Sequence, residues 1–160
     1  MALANAGRVR KGEAMPRLFI AAPIDDSVKS NLERVGWAAN ARGAKWVQPE
    51  NMHLTLAFLG DVEDRRVPEV EDVMYAATEG IHEPLRLQAQ GIGAFPDEEG
   101  ARVMWAGLDG EVPRLIELQA RLVRELRAAG FEVDSKRYRP HITLARFRWP
   151  QPLPERLARF

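Results

Sequence analysis

The sequence predicts an α+β fold in two similar halves, each an antiparallel sheet with helices outside. Three observations predict it. A length of 160 residues suffices for one compact domain with a real core. Strand-like and helix-like patterns alternate along the chain. The order strand, helix, His-x-Thr strand occurs twice, with similar spacing from Arg17 to His53 and from Arg102 to His141. A pseudo-twofold between such halves would set the two His-x-Thr strands opposite one another across a cleft.

Composition bounds the function. Apolar content of 46% and charged content of 29% fit a soluble globular chain. The formal net charge is zero, so attraction for an anion must be local. There is no cysteine, which excludes disulfides and thiolate chemistry and fits a reducing cytoplasm. No apolar run is long enough to cross a membrane. Residues 1–15 carry Arg8, Arg10 and Lys11 with no apolar segment after them, so they read as a mobile extension, with Met15 as an alternative start. Residues 16–160 read as a single bilobal domain.

The elements follow in order. Arg17–Pro23 reads as a buried strand stopped by proline. Asp25, Asp26 and Ser27 offer N-caps for a helix to about Arg42, closed by Gly43. Trp46–Pro49 is a short extended piece before the His53 strand. A second helix is expected over about 64–79, with Pro68 near its first turn. Leu85–Ala89 alternates like a strand with one wet face, and Gly91-Ile92-Gly93 reads as a turn, lacking the third glycine and following helix of a phosphate loop. Arg102–Gly107 is a strand. Pro113 opens a helix with Leu115, Leu118, Leu122 and Leu126 inward, ended by Gly130, and the His141 strand follows.

The chemistry lies in the repeated strands. In His53-Leu54-Thr55-Leu56 and His141-Ile142-Thr143-Leu144, alternation puts imidazole and hydroxyl on one face and aliphatic side chains on the other. One histidine can act as base on a water while the other acts as acid on a leaving group. Threonine hydroxyls can donate to oxygens gaining charge, and Arg146 adds a fixed positive charge suited to phosphate. Between Ser135 and Arg148 the chain holds Lys136, Arg137, Arg139, Arg146 and Arg148 and no acid. The set fits metal-free phosphodiester chemistry. A lone histidine in an apolar strand is more often structural; the repetition with matched threonines reverses that for His53 and His141, and His82, without such a partner, reads as structural. Trp46, Phe58, Trp105 and Tyr138 could stack on a base, although aromatic residues in strands usually belong to the core. A two-histidine metal site lacks a cysteine or tight carboxylate partner.

With these motifs the chain resembles the 2H phosphoesterases, and among them the bacterial RNA 2',3'-cyclic phosphodiesterases, the LigT-like or ThpR proteins. The matching stretches are Arg17–Ala21, Trp46–Gly60, Gly91–Pro96, Arg102–Gly107 and Arg139–Arg146, in order. The resemblance implies the bilobal fold with its active cleft between lobes. It implies hydrolysis of a terminal 2',3'-cyclic phosphate to a 2'-phosphate without metal or other cofactor, together with the reverse 2'-5' joining of RNA. It assigns His53 as proton donor and His141 as acceptor, with Thr55, Thr143 and Arg146 holding phosphate. Arg139 and Phe58 are the weaker candidates for RNA contact. The expected partners are RNA ends bearing the cyclic phosphate, tRNA fragments included, or nucleotides, met by a cytoplasmic monomer away from any membrane. Two alternatives stand beside this reading: a nucleotide- or RNA-binding module without chemistry, and a relative acting on a small cyclic nucleotide or a 2'-5' oligonucleotide.

Overall fold

The computed structural model describes residues 1–5, 16–39, 41, 43–134, 136–153 and 157. The elements run β1 (Ala2–Asn5), β2 (Arg17–Pro23), α1 (Asp26–Ala39), β3 (Ala44–Trp46), β4 (His53–Asp61), α2 (Val67–Thr78), β5 (Leu87–Phe95), β6 (Ala101–Gly110), α3 (Val112–Ala128) and β7 (Ile142–Gln151). Short 3-10 turns stand at Pro49–Asn51 and Asp64–Arg66. The pairs β1–β2, β3–β7, β4–β7, β5–β6 and β6–β7 are all antiparallel, so the α+β expectation holds. Among the described residues no helix is long and apolar enough to cross a membrane.

The chain divides into two compact units. The first comprises Met1–Ala22, Thr55–Arg86 and Glu111–Arg139; the second comprises Pro23–Leu54, Leu87–Gly110 and Pro140–Phe160. The sequence repeat is thereby split, since β2 lies in the first unit and α1 in the second, while β6 lies in the second and α3 in the first.

In the first unit, α2 and α3 bury Val70, Ala77, Leu115, Leu122 and Leu126, an apolar stripe at helical spacing. Polar side chains tie the helices to neighbouring backbone. The Gln119 amide donates to the Leu56 carbonyl at 3.1 Å. Arg121 donates to the carbonyls of Ala76 and Glu79 at the end of α2, the first of which also accepts the capping Glu79 N–H. Ala2–Asn5 pairs with β2, which differs from the mobile extension expected for this segment; the unpaired edge of a strand accepts any extended neighbour that can match its hydrogen bonds. Residues 6–15 lie outside the described residues.

In the second unit, α1 contributes Leu32 to a core shared with Met52, Met104, Ile142, Leu144 and Phe147. Strand β5 is longer than expected, because Gly91-Ile92-Gly93 lies inside it rather than forming a turn. Gly91 has a φ of 74°, and the β5–β6 register shifts between Ala89 and Ile92. This is a bulge, where the positive φ favours glycine and pairing resumes beyond.

Candidate active site

Three of the sequence-predicted residues are brought together by a single rung. Leu54 of β4 pairs antiparallel with Ile142 of β7, and both side chains are buried. Alternation sends the residues on either side of that rung to the opposite sheet face. His53 and Thr143 therefore share that face, as does His141, and all three are half-buried. His53 opens β4 and His141 immediately precedes β7, so the two stand diagonally across the rung, a relation that in a regular ladder sets Cβ atoms roughly 7–8 Å apart or somewhat less. The histidines stand side by side on one sheet face, because β4 and β7 pair directly at this rung.

Arg146 reaches the same face through a bulge. It follows Thr143 by three positions, and an unbroken strand would turn it to the buried side. The β6–β7 register changes, however, from Trp105 opposite Thr143 to Met104 opposite Ala145, which leaves Leu144 as an extra residue in β7. The phase of the strand slips by one. Leu144 and Ala145 are both buried, and Arg146 and Arg148 emerge exposed on the side of Thr143.

Aromatic rings support His141. The Phe95 ring meets the imidazole edge-on, with centroids 5.0 Å apart and planes at 84°. The Trp105 ring lies 6.0 Å from the imidazole and 5.3 Å from Phe95. Trp105 is directly opposite Thr143 on one side and opposite Gly93 on the other. A Cβ at Gly93 would fall 2.4 Å from the indole, so only glycine lets that ring cross β5. Phe95, Gly93 and the positioning part of Trp105 escaped the sequence reading. The signal was the glycine-rich segment before Pro96, which read as a turn.

His53 is oriented by the turn before it. The Pro49–Asn51 turn is closed by Asn51 N–H and Met52 N–H donating to the Gln48 and Pro49 carbonyls. Nδ1 of His53 donates to the Asn51 carbonyl at 2.7 Å, so the neutral ring keeps its proton on Nδ1 and presents the Nε2 lone pair. Burial lowers the His53 pKa below the ordinary 6.5, and the Asn51 carbonyl partly opposes that by favouring the charged ring.

Thr55, Phe58 and Arg139 belong to the first unit. Thr55 is half-buried two residues after His53 in β4, and its carbonyl accepts from the Tyr138 hydroxyl at 3.1 Å. Phe58 is 57% exposed and packs beside Phe19, and Arg139 is exposed. Among the described residues no group of three His, Cys, Asp or Glu could hold a metal ion.

Residues 18–105 and 107–160 match the family model described as LigT like Phosphoesterase. Similar curated proteins include the RNA 2',3'-cyclic phosphodiesterase of Archaeoglobus fulgidus, 32% identical over 139 residues, which are 85% of this chain and 75% of that one. The RNA 2',3'-cyclic phosphodiesterase of Thermotoga maritima is 33% identical over 135 residues, 83% and 71% of the two chains. Among solved structures, the TT0787 protein of Thermus thermophilus is similar with a TM-score of 0.68 at 30% identity, covering 86% of this chain and 78% of its own. The E. coli LigT structure complexed with 3'-AMP is similar with a TM-score of 0.65 at 26% identity, covering 81% and 72%.

Proposed function

The chain belongs to the LigT-like phosphoesterase family, and from that premise we propose that it is an RNA 2',3'-cyclic phosphodiesterase acting by metal-independent acid–base catalysis at His53 and His141. The observation that carries the reading is the Leu54–Ile142 rung, which sets two imidazoles and the Thr143 hydroxyl on one sheet face. Curated relatives named for this activity support the substrate class. A related structure complexed with 3'-AMP supports a phosphorylated ribose as ligand.

In this reading His141 takes a proton from a water, and the water oxygen bonds to phosphorus. The bond from phosphorus to the 3'-oxygen breaks, and that oxygen takes a proton from the His53 imidazolium. The 2'-phosphate remains. Each proton transfer contributes on the order of 10²–10⁴ in rate. Thr143 and Arg146 donate to the non-bridging oxygens as charge builds on them, and the repeated motif assigns Thr55 the matching part. The lowered pKa of His53 makes its charged form a stronger acid than an exposed imidazolium. A phosphate arriving beside it favours that charged form and so loads the proton it will give. With an RNA 5'-hydroxyl in place of water, the same two groups would form a 2'-5' linkage. The absence of cysteine accords with work in the cytoplasm.

The test is product identity. A short RNA ending in 2',3'-cyclic phosphate, incubated with the protein in EDTA, should give the 2'-phosphate by phosphorus NMR. A 3'-phosphate product, or no opening at all, contradicts the reading.

A further inference from the structure

Lys45 of β3 lies directly opposite Arg146 of β7, between the rungs Ala44–Phe147 and Trp46–Ala145. Ala44, Trp46, Ala145 and Phe147 turn into the core of the second unit, so Lys45 and Arg146 point together to the other face. That face is the one His53, His141 and Thr143 occupy, because the Leu144 bulge has brought Arg146 round to it. Both side chains are exposed, and neither has an acidic partner among the described residues. Like charges directly opposite on neighbouring strands repel. Arg148, the next cation on this face, is stacked over Trp149 at 5.5 Å, so Lys45 and Arg146 are the two cations that meet on one rung.

We propose that Lys45 holds a second phosphate, the phosphodiester on the 5' side of the nucleotide that carries the cyclic phosphate, with Arg146 standing between the two anions. The inference rests on the hydrolase reading above and names the substrate more closely: an RNA end is preferred to a lone nucleoside 2',3'-cyclic phosphate, which lacks that phosphodiester. Thr143 and Arg146 are three residues apart, about 10 Å of strand, a span that two long basic side chains reach across. An anion between Lys45 and Arg146 turns a repulsive rung into an attractive site. The plainer account of Lys45 is a charge that guards a short strand against pairing with another chain; it predicts no substrate effect.

The experiment compares Lys45→Met and Lys45→Arg with the unaltered protein on two substrates, a nucleoside 2',3'-cyclic phosphate and a trinucleotide ending in one. Binding of a nucleoside 2'-phosphate and of a trinucleotide 2'-phosphate is measured in parallel across a salt series. Lys45→Met should weaken trinucleotide binding and raise its KM about fivefold, and reduce the logarithmic salt slope by about one phosphate contact, roughly 0.7. The mononucleotide values should stay within about twofold, and Lys45→Arg should restore most of the loss. Equal losses on both ligands, or no loss on either, would overturn the proposal. If the unaltered protein opens neither cyclic phosphate yet binds the trinucleotide through Lys45, the hydrolase reading fails and the second phosphate site stands. If it opens both with equal efficiency, the hydrolase reading stands and the second site fails.

Discussion

Leu54 and Ile142 form an antiparallel rung with both side chains buried, and the residues flanking that rung are the chemically competent ones. An aliphatic pair below thus fixes an imidazole pair above. Register alone does this, since a slip of one residue would bury the histidines and expose the leucines.

The pKa of His53 is the first point at which this arrangement can be tested. Burial holds it below 6.5, so the charged form needed for proton donation declines from a lower pH than an exposed histidine would show. The alkaline limb of kcat/KM, which reports the free protein, should therefore fall beginning below about pH 6.5. In the complex with a nucleotide 2'-phosphate the His53 pKa should rise. Proton NMR titration of the ring, with and without that ligand, checks both; a His53 pKa unmoved by ligand would sever it from the phosphate.

Gly93→Ala should disturb the histidine on the other strand. The new Cβ would sit 2.4 Å from the Trp105 indole, which must move, and Trp105 and Phe95 both pack on His141. A loss of about 1–3 kcal/mol of stability is expected. Tryptophan emission should shift, and kcat should fall more than KM rises. Melting temperature and steady-state kinetics on the one variant measure this, and Gly93→Ala with unchanged kinetics would deny the rings a positioning part.

Much of this was legible in the residues. The two His-x-Thr strands, the polar and apolar faces of each, and the α3 stripe through Leu115, Leu122 and Leu126 follow from periods of two and of 3.6. The pairing of β4 with β7 was not legible, because strand neighbours far apart in sequence are chosen by the whole core and not by either strand. The bulges were hidden for a related reason. Nothing local marks Leu144 as the extra residue, so Arg146 would be assigned to the wrong face by simple alternation. Gly91 and Gly93 look like a turn in isolation, yet one supplies the bulge and the other makes room for Trp105.

Arg146→Lys keeps the charge and discards the planar fork. If the guanidinium grips phosphate oxygens in pairs, kcat/KM should fall about tenfold with the melting temperature unchanged. A lysine variant as active as the original would reduce Arg146 to a general positive charge.

In the first unit, Tyr138→Phe removes the hydroxyl that donates to the Thr55 carbonyl at 3.1 Å. Burial pushes the Tyr138 phenol upward, so it remains a donor well into the alkaline range. The variant should lose about 1 kcal/mol in denaturant unfolding.

The central claim is that two imidazoles on neighbouring strands act on one phosphorus. It is tested most directly by the single-turnover rate of cyclic-phosphate opening for the unaltered protein, His53→Ala and His141→Ala, each in EDTA. Each alanine variant should slow by at least about 10²-fold while keeping its melting temperature, since both rings are only half-buried. If either variant opened the cyclic phosphate at the original rate, the two-histidine account would be wrong.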